Sequence, residues 1–289
     1  MKFKIFHSSF NRSWWGNLLV FMFLAVFGLF FIFPIFYSVL NAFKPLEEIL
    51  IFPPRLYIEN PTFDNFLELA MLMEDSWVPL SRYLFNSAIV SILGTAGHLL
   101  LSSMAAYPMA KINFPGRKVF QKVIVMSLLF SASVTYIPTY IVMDQLHLID
   151  NPLAVILPAW ASSLGLYLMM NFMTNLPDSM LEAARIDGAG EFYTYNTIIL
   201  PIMVPAMATM GIMAVIGSWN NYLTPLMLLS DPTMKTLPMM VKELRGDIYR
   251  TEFGSIYLGL TLTALPLIIV YFSFSKYIIA GVAVGGVKE

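Results

Sequence analysis

The most constraining feature of this chain is that its charges lie between long uncharged stretches. Only 35 of the 289 residues are Asp, Glu, Lys or Arg. Six blocks contain none of them: 13–43, 83–110, 123–143, 151–177, 192–230 and 253–275. A helix needs about 20 residues to cross the hydrocarbon of a bilayer, so each block can cross once. The pattern predicts a polytopic membrane protein and excludes a soluble domain, a disordered chain and a nucleic-acid binder.

The length of the blocks also decides the secondary structure. A bilayer cannot satisfy open backbone groups, and continuous apolar runs favour helices over the alternating strands of a barrel. We expect an all-α fold with six transmembrane helices near 17–42, 83–107, 120–142, 152–173, 201–224 and 255–280. The first run is too long for the core of a signal peptide and is interpreted as a retained helix.

Six spans place both ends of the chain on one side of the membrane. If that side is the cytoplasm, the inner segments carry 10 basic and 5 acidic residues, and the outer loops carry 7 basic and 13 acidic residues. This distribution follows the positive-inside rule. It predicts a multi-pass protein of the cell membrane, with both termini cytoplasmic.

Several kinds of chemistry are excluded by residue type. There is no cysteine, and His7, His98 and His147 lie far apart, so we expect no catalytic residue and no metal site. No P-loop motif occurs either. His98 is the one histidine or charged residue in the cores of the predicted spans, since Lys122 and Lys276 lie near span ends. It is either a relay or ligand-orienting group, or a neutral side chain bonded to a neighbouring helix, and the rarity of intramembrane charge favours the second interpretation.

Two polar clusters are candidates for a substrate path. Ser91 and Thr95 belong to a stripe that repeats every four residues in the second span, which suits close helix packing or a polar path. In the fifth block, Trp219 is followed by Asn220 and Asn221. An indole beside amides suits a sugar, and it equally suits an aromatic anchor at the membrane interface.

The inner segment 175–201, here called the EAA segment, has its own helical pattern. Ser179 and Glu182 fit an S-x-x-E capping box, which predicts a helix beginning at Met180. Gly188 predicts a turn, followed by a second helix over 189–199. Such a structured, acidic inner loop favours a docking site for a soluble partner.

The EAA segment also carries a family resemblance. Glu182-Ala183-Ala184, Gly188, Ile198 and Leu200-Pro201 have the spacing of the EAA signature of ABC-importer permeases. The chain therefore resembles these permeases, and segments 114–118, 187–189, 217–220 and 230–238 are similar to their carbohydrate-uptake branch, which includes the maltose-importer permeases. The tail 276–288 is similar to permeases for polysaccharides or large oligosaccharides, including uronate-type substrates.

The resemblance implies a type I ABC importer permease fold. Its parts would be a cytoplasmic N-terminus, first helix and outer loop (1–76), an ABC transmembrane type-1 domain (77–281) and a cytoplasmic tail (282–289). The implied partners are a second, homologous permease in a heterodimer, two ATP-binding subunits, an extracytoplasmic solute-binding protein, an oligosaccharide and membrane lipid. No cofactor is expected on this chain, because ATP and Mg would belong to the ATPase subunits.

The resemblance further implies roles for single residues. Glu182 would be the charged contact to the ATPase, Ala183 and Ala184 the small residues that let the helix seat, and Gly188 the turn. Arg185 and Asp187 would belong to the same coupling site. Family members often have an acid where this chain has Asn221, so the resemblance supports no substrate role there.

Three other functions fit the sequence less well. One is an ABC importer for a non-sugar solute, which the carbohydrate-type segments disfavour. A secondary carrier without an ATPase is disfavoured by the lack of intramembrane carboxylates. A membrane enzyme is disfavoured by the lack of a nucleophile–base or metal constellation.

Overall fold

The structure, a computed structural model, describes residues 14–75, 78–246 and 253–286. Within these ranges the secondary structure is helical and no strand is present. The α-helices of the described ranges are α1 (Trp14–Ala42), α2 (Leu46–Ile49), α3 (Asp64–Asp75), α4 (Leu80–Lys111), α5 (Arg117–Ser127), α6 (Ala132–Gln145), α7 (Leu153–Trp160), α8 (Ser163–Thr174), α9 (Asp178–Ile186), α10 (Glu191–Thr194), α11 (Leu200–Trp219), α12 (Leu223–Leu228), α13 (Leu237–Gly246) and α14 (Phe253–Gly286). The described residues form two compact units, 14–68 with 253–261, and 69–75 and 78–246 with 262–286.

The first unit combines a long apolar helix with a folded polar segment. Most apolar side chains of α1 are exposed, as expected for a helix surrounded by lipid or by another subunit. The segment after α1 is held by buried polar groups. Lys44 Nζ donates to the Arg55 carbonyl at 2.6 Å, and the Glu48 carboxylate accepts the backbone N–H of Glu59 at 3.0 Å. Because these groups are paired, the segment forms a defined surface structure despite its short helices.

In the second unit, α4 packs against α7, α8 and α11. Glycines bring these helices close together. A Cβ on Gly97 would fall 2.1 Å from the Trp160 ring, and a Cβ on Gly165 would fall 2.0 Å from the His98 ring. The apolar core between α4, α8 and α11 is rich in methionine, whose flexible side chains fill irregular gaps. Its methionines are Met169, Met170, Met173, Met203 and Met210.

Two of the predicted helices are each divided into two. The span predicted over 120–142 consists of α5 and α6, and the span predicted over 152–173 consists of α7 and α8. Ser131 and Ser162 are the N-caps that start the second helix of each pair, accepting the N–H of Ser133 at 3.3 Å and of Gly165 at 3.5 Å. Five helical stretches of the described chain are long and apolar enough to cross a membrane, and the divided α5–α6 block is not among them.

The unusual length of the fifth uncharged block also has a structural explanation. Helix α11 ends at Trp219, earlier than the predicted 224, and α12 is a separate short helix. At the other end, α10 continues through a π-helical turn over Tyr195–Ile199 into α11. The block therefore contains one crossing, a helical extension before it, and a loop with the short helix α12 after it.

Candidate functional site

The EAA segment is a helix followed by a sharp turn. Helix α9 ends in a Schellman motif, in which the N–H of Ala189 donates to the Ala184 carbonyl at 2.9 Å and the N–H of Gly188 donates to the Arg185 carbonyl at 3.1 Å. Gly188 has φ of 78°, in the left-handed region that favours glycine. The predicted turn is therefore present at the residue expected.

The predicted start of this helix was wrong. Helix α9 begins at Asp178, its N-cap is Pro177, and Ser179 lies inside the first turn instead of capping it. Pro177 is extended, with ψ of 130°, and has no side-chain cap. The Asp178 carboxylate is instead in the first turn, where negative charge interacts favourably with the helix dipole. A hydrogen bond from Lys111, together with its positive charge, lowers the pKa of Asp178 below its ordinary value.

The residues of the EAA signature differ in exposure. Glu182 and Ala183 are exposed, whereas Ala184 is buried within its own chain. Arg185 forms an ion pair with Glu191, with Nη2 and Oε1 3.1 Å apart, and Asp187 caps the C-terminus of α9. Beside them lie exposed apolar side chains that the sequence analysis did not single out. These are Ile186, exposed by 86%, Phe192, exposed by 72%, and Tyr193.

Three side chains of α4 bind the EAA segment. Ser103, Tyr107 and Lys111 are spaced four residues apart on one side of the helix. The Ser103 hydroxyl is 2.8 Å from the Tyr195 hydroxyl, and Tyr107 donates to Glu191 Oε2 at 2.5 Å. Lys111 Nζ donates to the Leu176 carbonyl at 2.6 Å and to Asp178 Oδ1 at 2.7 Å. The start, middle and end of the segment are thus attached to one helix.

A large cavity lies in the half of the bundle away from the EAA segment. Its volume is about 1100 Å³, and it is lined by parts of α4, α6, α7, α8, α11 and α12. None of the described residues that line it is Asp, Glu, Lys or Arg. Its polar lining consists of hydroxyl, amide and imidazole groups. These belong to Thr95, His98, Thr135, Tyr136, Thr139, Ser162, Ser218, Asn220, Asn221, Tyr222 and Thr224.

The structure brings only some of the predicted path residues to this cavity. Thr95, Asn220 and Asn221 line it, and Ser91 and Trp219 do not. Trp219 is buried and its Nε1 donates to the Thr263 carbonyl at 3.0 Å, so it fastens α11 to α14. Asn221 is bonded to Thr224 at the start of α12, which leaves Asn220 as the exposed amide.

Of the hydroxyl groups that line the cavity beyond α4, Thr135 is on a span whose serines and threonine suit either packing or a polar path, whereas Thr139 and Ser162 were missed because their helices were predicted as unbroken spans. Thr135 and Thr139 lie on α6, one turn apart, and Ser162 lies at the break between α7 and α8. The available signal was a serine within seven residues of a proline, as in Ser131 with Pro138 and Ser162 with Pro158. Polar N-cap residues and prolines in an apolar block together indicate a broken helix.

His98 is packed and hydrogen-bonded, although it also borders the cavity. Its Nδ1 lies 3.2 Å from the Ser102 hydroxyl, and its ring bonds to the backbone of Trp160 and packs on Gly165. These contacts are expected if His98 is a neutral side chain bonded to a neighbouring helix.

Comparisons with known proteins now define the family. The family described as binding-protein-dependent transport system inner membrane component matches residues 98–284. The arabinooligosaccharides transport system permease protein AraQ of Halalkalibacterium halodurans is 33% identical over 263 residues, covering 89% of this chain and 91% of that protein. The chain belongs to this family.

Two further similarities agree with that assignment. The polygalacturonan/rhamnogalacturonan transport system permease protein YtcP of Bacillus subtilis is 28% identical, over 94% of this chain and 98% of that protein. The permease also has the fold of a chain in the crystal structure of a bacterial ABC transporter involved in the import of the acidic polysaccharide alginate. The TM-score is 0.77 at 23% identity, covering 94% of this chain and 99% of that chain.

The family assignment confirms the predicted fold and class. The chain is a multi-pass inner-membrane permease, a transport subunit of an ABC importer and not an enzyme. Such a permease works with an ATPase and a solute-binding protein. The proposed roles of Glu182, Ala183 and the other coupling residues, and of the cavity residues, remain predictions.

Proposed function

We propose that this permease imports an oligosaccharide or polysaccharide by alternating access, driven by ATP hydrolysis on a separate subunit. The observation that carries the proposal is the cavity, about 1100 Å³ in volume and lined by hydroxyl and amide groups without a carboxylate or ammonium group among its described residues. Hydroxyls and amides both donate and accept hydrogen bonds, as sugar hydroxyls require. The names of AraQ and YtcP, which refer to arabinooligosaccharides and to polygalacturonan/rhamnogalacturonan, support this class of substrate.

The EAA segment would dock on the ATPase. Glu182, Ala183 and the exposed side chains of Ile186, Phe192 and Tyr193 lie on both sides of the turn at Gly188, and they combine apolar groups with an acidic one. An apolar anchor with a charged neighbour is typical of a protein interface. ATP and Mg would bind to two such ATPase subunits, and this chain would hold neither.

The remaining assembly follows from the same proposal. A second, homologous permease would complete the heterodimer around the cavity, and an extracytoplasmic binding protein would deliver the sugar. The charge distribution supports an orientation with the EAA segment and both termini in the cytoplasm. Coupling would then require at least two conformations of the importer. ATP and the loaded binding protein would shift the importer away from its resting conformation.

The substrate class is tested with the solute-binding protein of this importer, identified by copurification with the assembled complex. Calorimetry against oligosaccharides from arabinan, polygalacturonate, alginate and chitin, with sn-glycerol 3-phosphate as the non-sugar probe, should give binding to an oligosaccharide alone. Uptake of the bound sugar should be lost when the permease gene is deleted and return with the intact gene. Binding of the phosphate ester alone would favour the importer for a non-sugar solute. Uptake that persists without the ATPase gene would favour a secondary carrier.

The finer form of the proposal is a substrate that contains uronate. The tail resemblance and the name of YtcP support it. Polygalacturonate and alginate fragments would then bind more tightly than arabinan fragments in the same calorimetric series.

A further inference from the structure

The attachment of α4 to the EAA segment is built from buried polar groups. Ser103 is fully buried, Tyr107 is 5% exposed, and the Lys111 side chain is 4% exposed. Buried hydrogen bonds hold their geometry well, because breaking one leaves a polar group without a partner away from water. Their partners are less buried: the side chains of Asp178 and Glu191 are 74% and 50% exposed, whereas the bond between Ser103 and Tyr195 is buried. The attachment therefore combines one buried bond with two charge-assisted bonds that are partly open to solvent.

The network extends from α4 into the docking helix. Glu191 accepts from Tyr107 through Oε2 and from Arg185 through Oε1. Arg185 lies in the last turn of α9, the helix that presents Glu182 and Ala183. A displacement of α9 thus acts on α4 through Glu191 and Tyr107, and through Asp178 and Lys111.

The same helix forms part of the cavity wall. Gly94, Thr95 and His98 line the cavity, about one and a half to two and a half turns before Ser103 on α4. Helix α4 is one helix from Leu80 to Lys111, whereas the walls formed by α6 and by α7 with α8 are divided. A long helix transmits a displacement along its axis better than a divided one.

We propose that Ser103, Tyr107 and Lys111 are positioning residues that join α4 to the EAA segment, so that movement of the docked segment moves the cavity wall at Thr95. The proposal rests on the proposed function, because it needs an ATPase that moves the segment. It adds a side-chain connection to the covalent one, in which the EAA segment continues through the π-helical turn into α11.

The test uses the absence of cysteine from the chain. Thr95→Cys is introduced as the single thiol of this subunit in the assembled importer, in lipid nanodiscs. Labelling of this subunit by N-ethylmaleimide is followed by mass, with and without ATP and vanadate. Thr95 is buried in the structure, so labelling should be slow without ATP and vanadate. The labelling rate should change at least threefold when they trap the importer. When Tyr107→Phe and Lys111→Met are added, the change in labelling on trapping should fall below half of the change in the parent protein. The ATPase should still copurify with this variant.

Matched controls separate this role from a general effect on folding. Tyr83→Phe removes a hydroxyl from a buried tyrosine at the opposite end of α4, and should leave the change intact. Lys111→Arg keeps the positive charge and the N–H donors. In place of Lys111→Met, it should restore most of the change in labelling that trapping produces. The ratio of sugar transported to ATP hydrolysed should fall in Tyr107→Phe, a loss that a purely structural defect would not produce.

The outcomes distinguish the two proposals. The parent protein carries Thr95→Cys alone. If its labelling did not change on trapping, the result would contradict alternating access and thus the proposed function. A parent change that survives in full in the Tyr107→Phe, Lys111→Met variant would overturn the positioning role alone. Tyr107→Phe removes one oxygen atom. If this variant failed to assemble, Tyr107 would have a role in folding, and the positioning role would also be overturned.

Discussion

Ala183 and Ala184 show that neighbouring residues of one motif have different surroundings. Ala184 is buried, and its carbonyl accepts the N–H of Ala189 in the turn, whereas Ala183 is exposed beside Glu182. A larger side chain at 184 would therefore disturb the permease itself, and one at 183 would disturb only a docked partner. The sequence signature identified both positions but could not separate these effects, because burial depends on the packing of α9 on its own chain.

Gly188 allows a test of the turn alone. Gly188→Val should place a β-branched residue at φ of 78°, at a cost of about 1–3 kcal/mol of backbone strain. Apart from its chain neighbours, no described atom lies within 4 Å of an added Cβ, so backbone strain should be the main local effect. Uptake by cells should fall at least tenfold while immunoblots show normal amounts in the membrane. Gly190→Val, at φ of −72° and also in open space, is the matched control. Normal uptake in Gly188→Val would show that the turn is not needed for coupling.

Glu182 allows a test of the docking surface. Glu182→Lys reverses an exposed charge that has no role in holding the turn, so the fold should be retained. We expect at least a tenfold loss of ATPase subunit in affinity purification of the permease. Asp144→Lys, an exposed acid in the last turn of α6, is the control and should not change the yield. Equal recovery of ATPase with both variants would remove Glu182 from the proposed interface.

At the scale of helices, hydropathy predicted where spans lie but not where they break. The blocks of α1, α4 and α14 are each one helix, and those of α5–α6 and α7–α8 are not. Hydropathy averages over a window of residues, whereas a break depends on single caps such as Ser131 and Ser162. Thr139 and Ser162 were missed for this reason, while Thr95 was found from its place in a four-residue repeat and Asn220 and Asn221 from their polarity.

The end of α11 provides the prediction at this scale. Trp219→Phe should lower the stability of the permease in detergent by about 0.5–1.5 kcal/mol, because the bond from Nε1 to the Thr263 carbonyl is lost. Asn220→Ala should leave stability unchanged and raise the KM for sugar uptake several-fold, because Asn220 lines the cavity. Thermal unfolding and uptake kinetics of both variants test the distinction. The reverse pattern, with Trp219→Phe raising KM and Asn220→Ala lowering stability, would place the substrate at the indole.

For the whole molecule, the distribution of charge bears on the source of energy as well as on topology. Described residues lining the cavity include no carboxylate that could carry protons or ions, and the charges of the EAA segment lie in its exposed helix. Ion-driven transport needs titratable groups within the membrane. This distribution of charge agrees with membership of a family that works with an ATPase.

Orientation is the last property that the charge distribution predicts, and single cysteines can test it because the chain has none of its own. Phe52 is 92% exposed in the segment after α1, and Phe192 is 72% exposed in the EAA segment. Moving basic residues across the membrane is unfavourable, so the segments with excess Lys and Arg should stay inside. In spheroplasts, a membrane-impermeant maleimide should label Phe52→Cys at once and Phe192→Cys only after permeabilisation. The opposite order would reverse the topology and would place the EAA segment out of reach of any cytoplasmic ATPase.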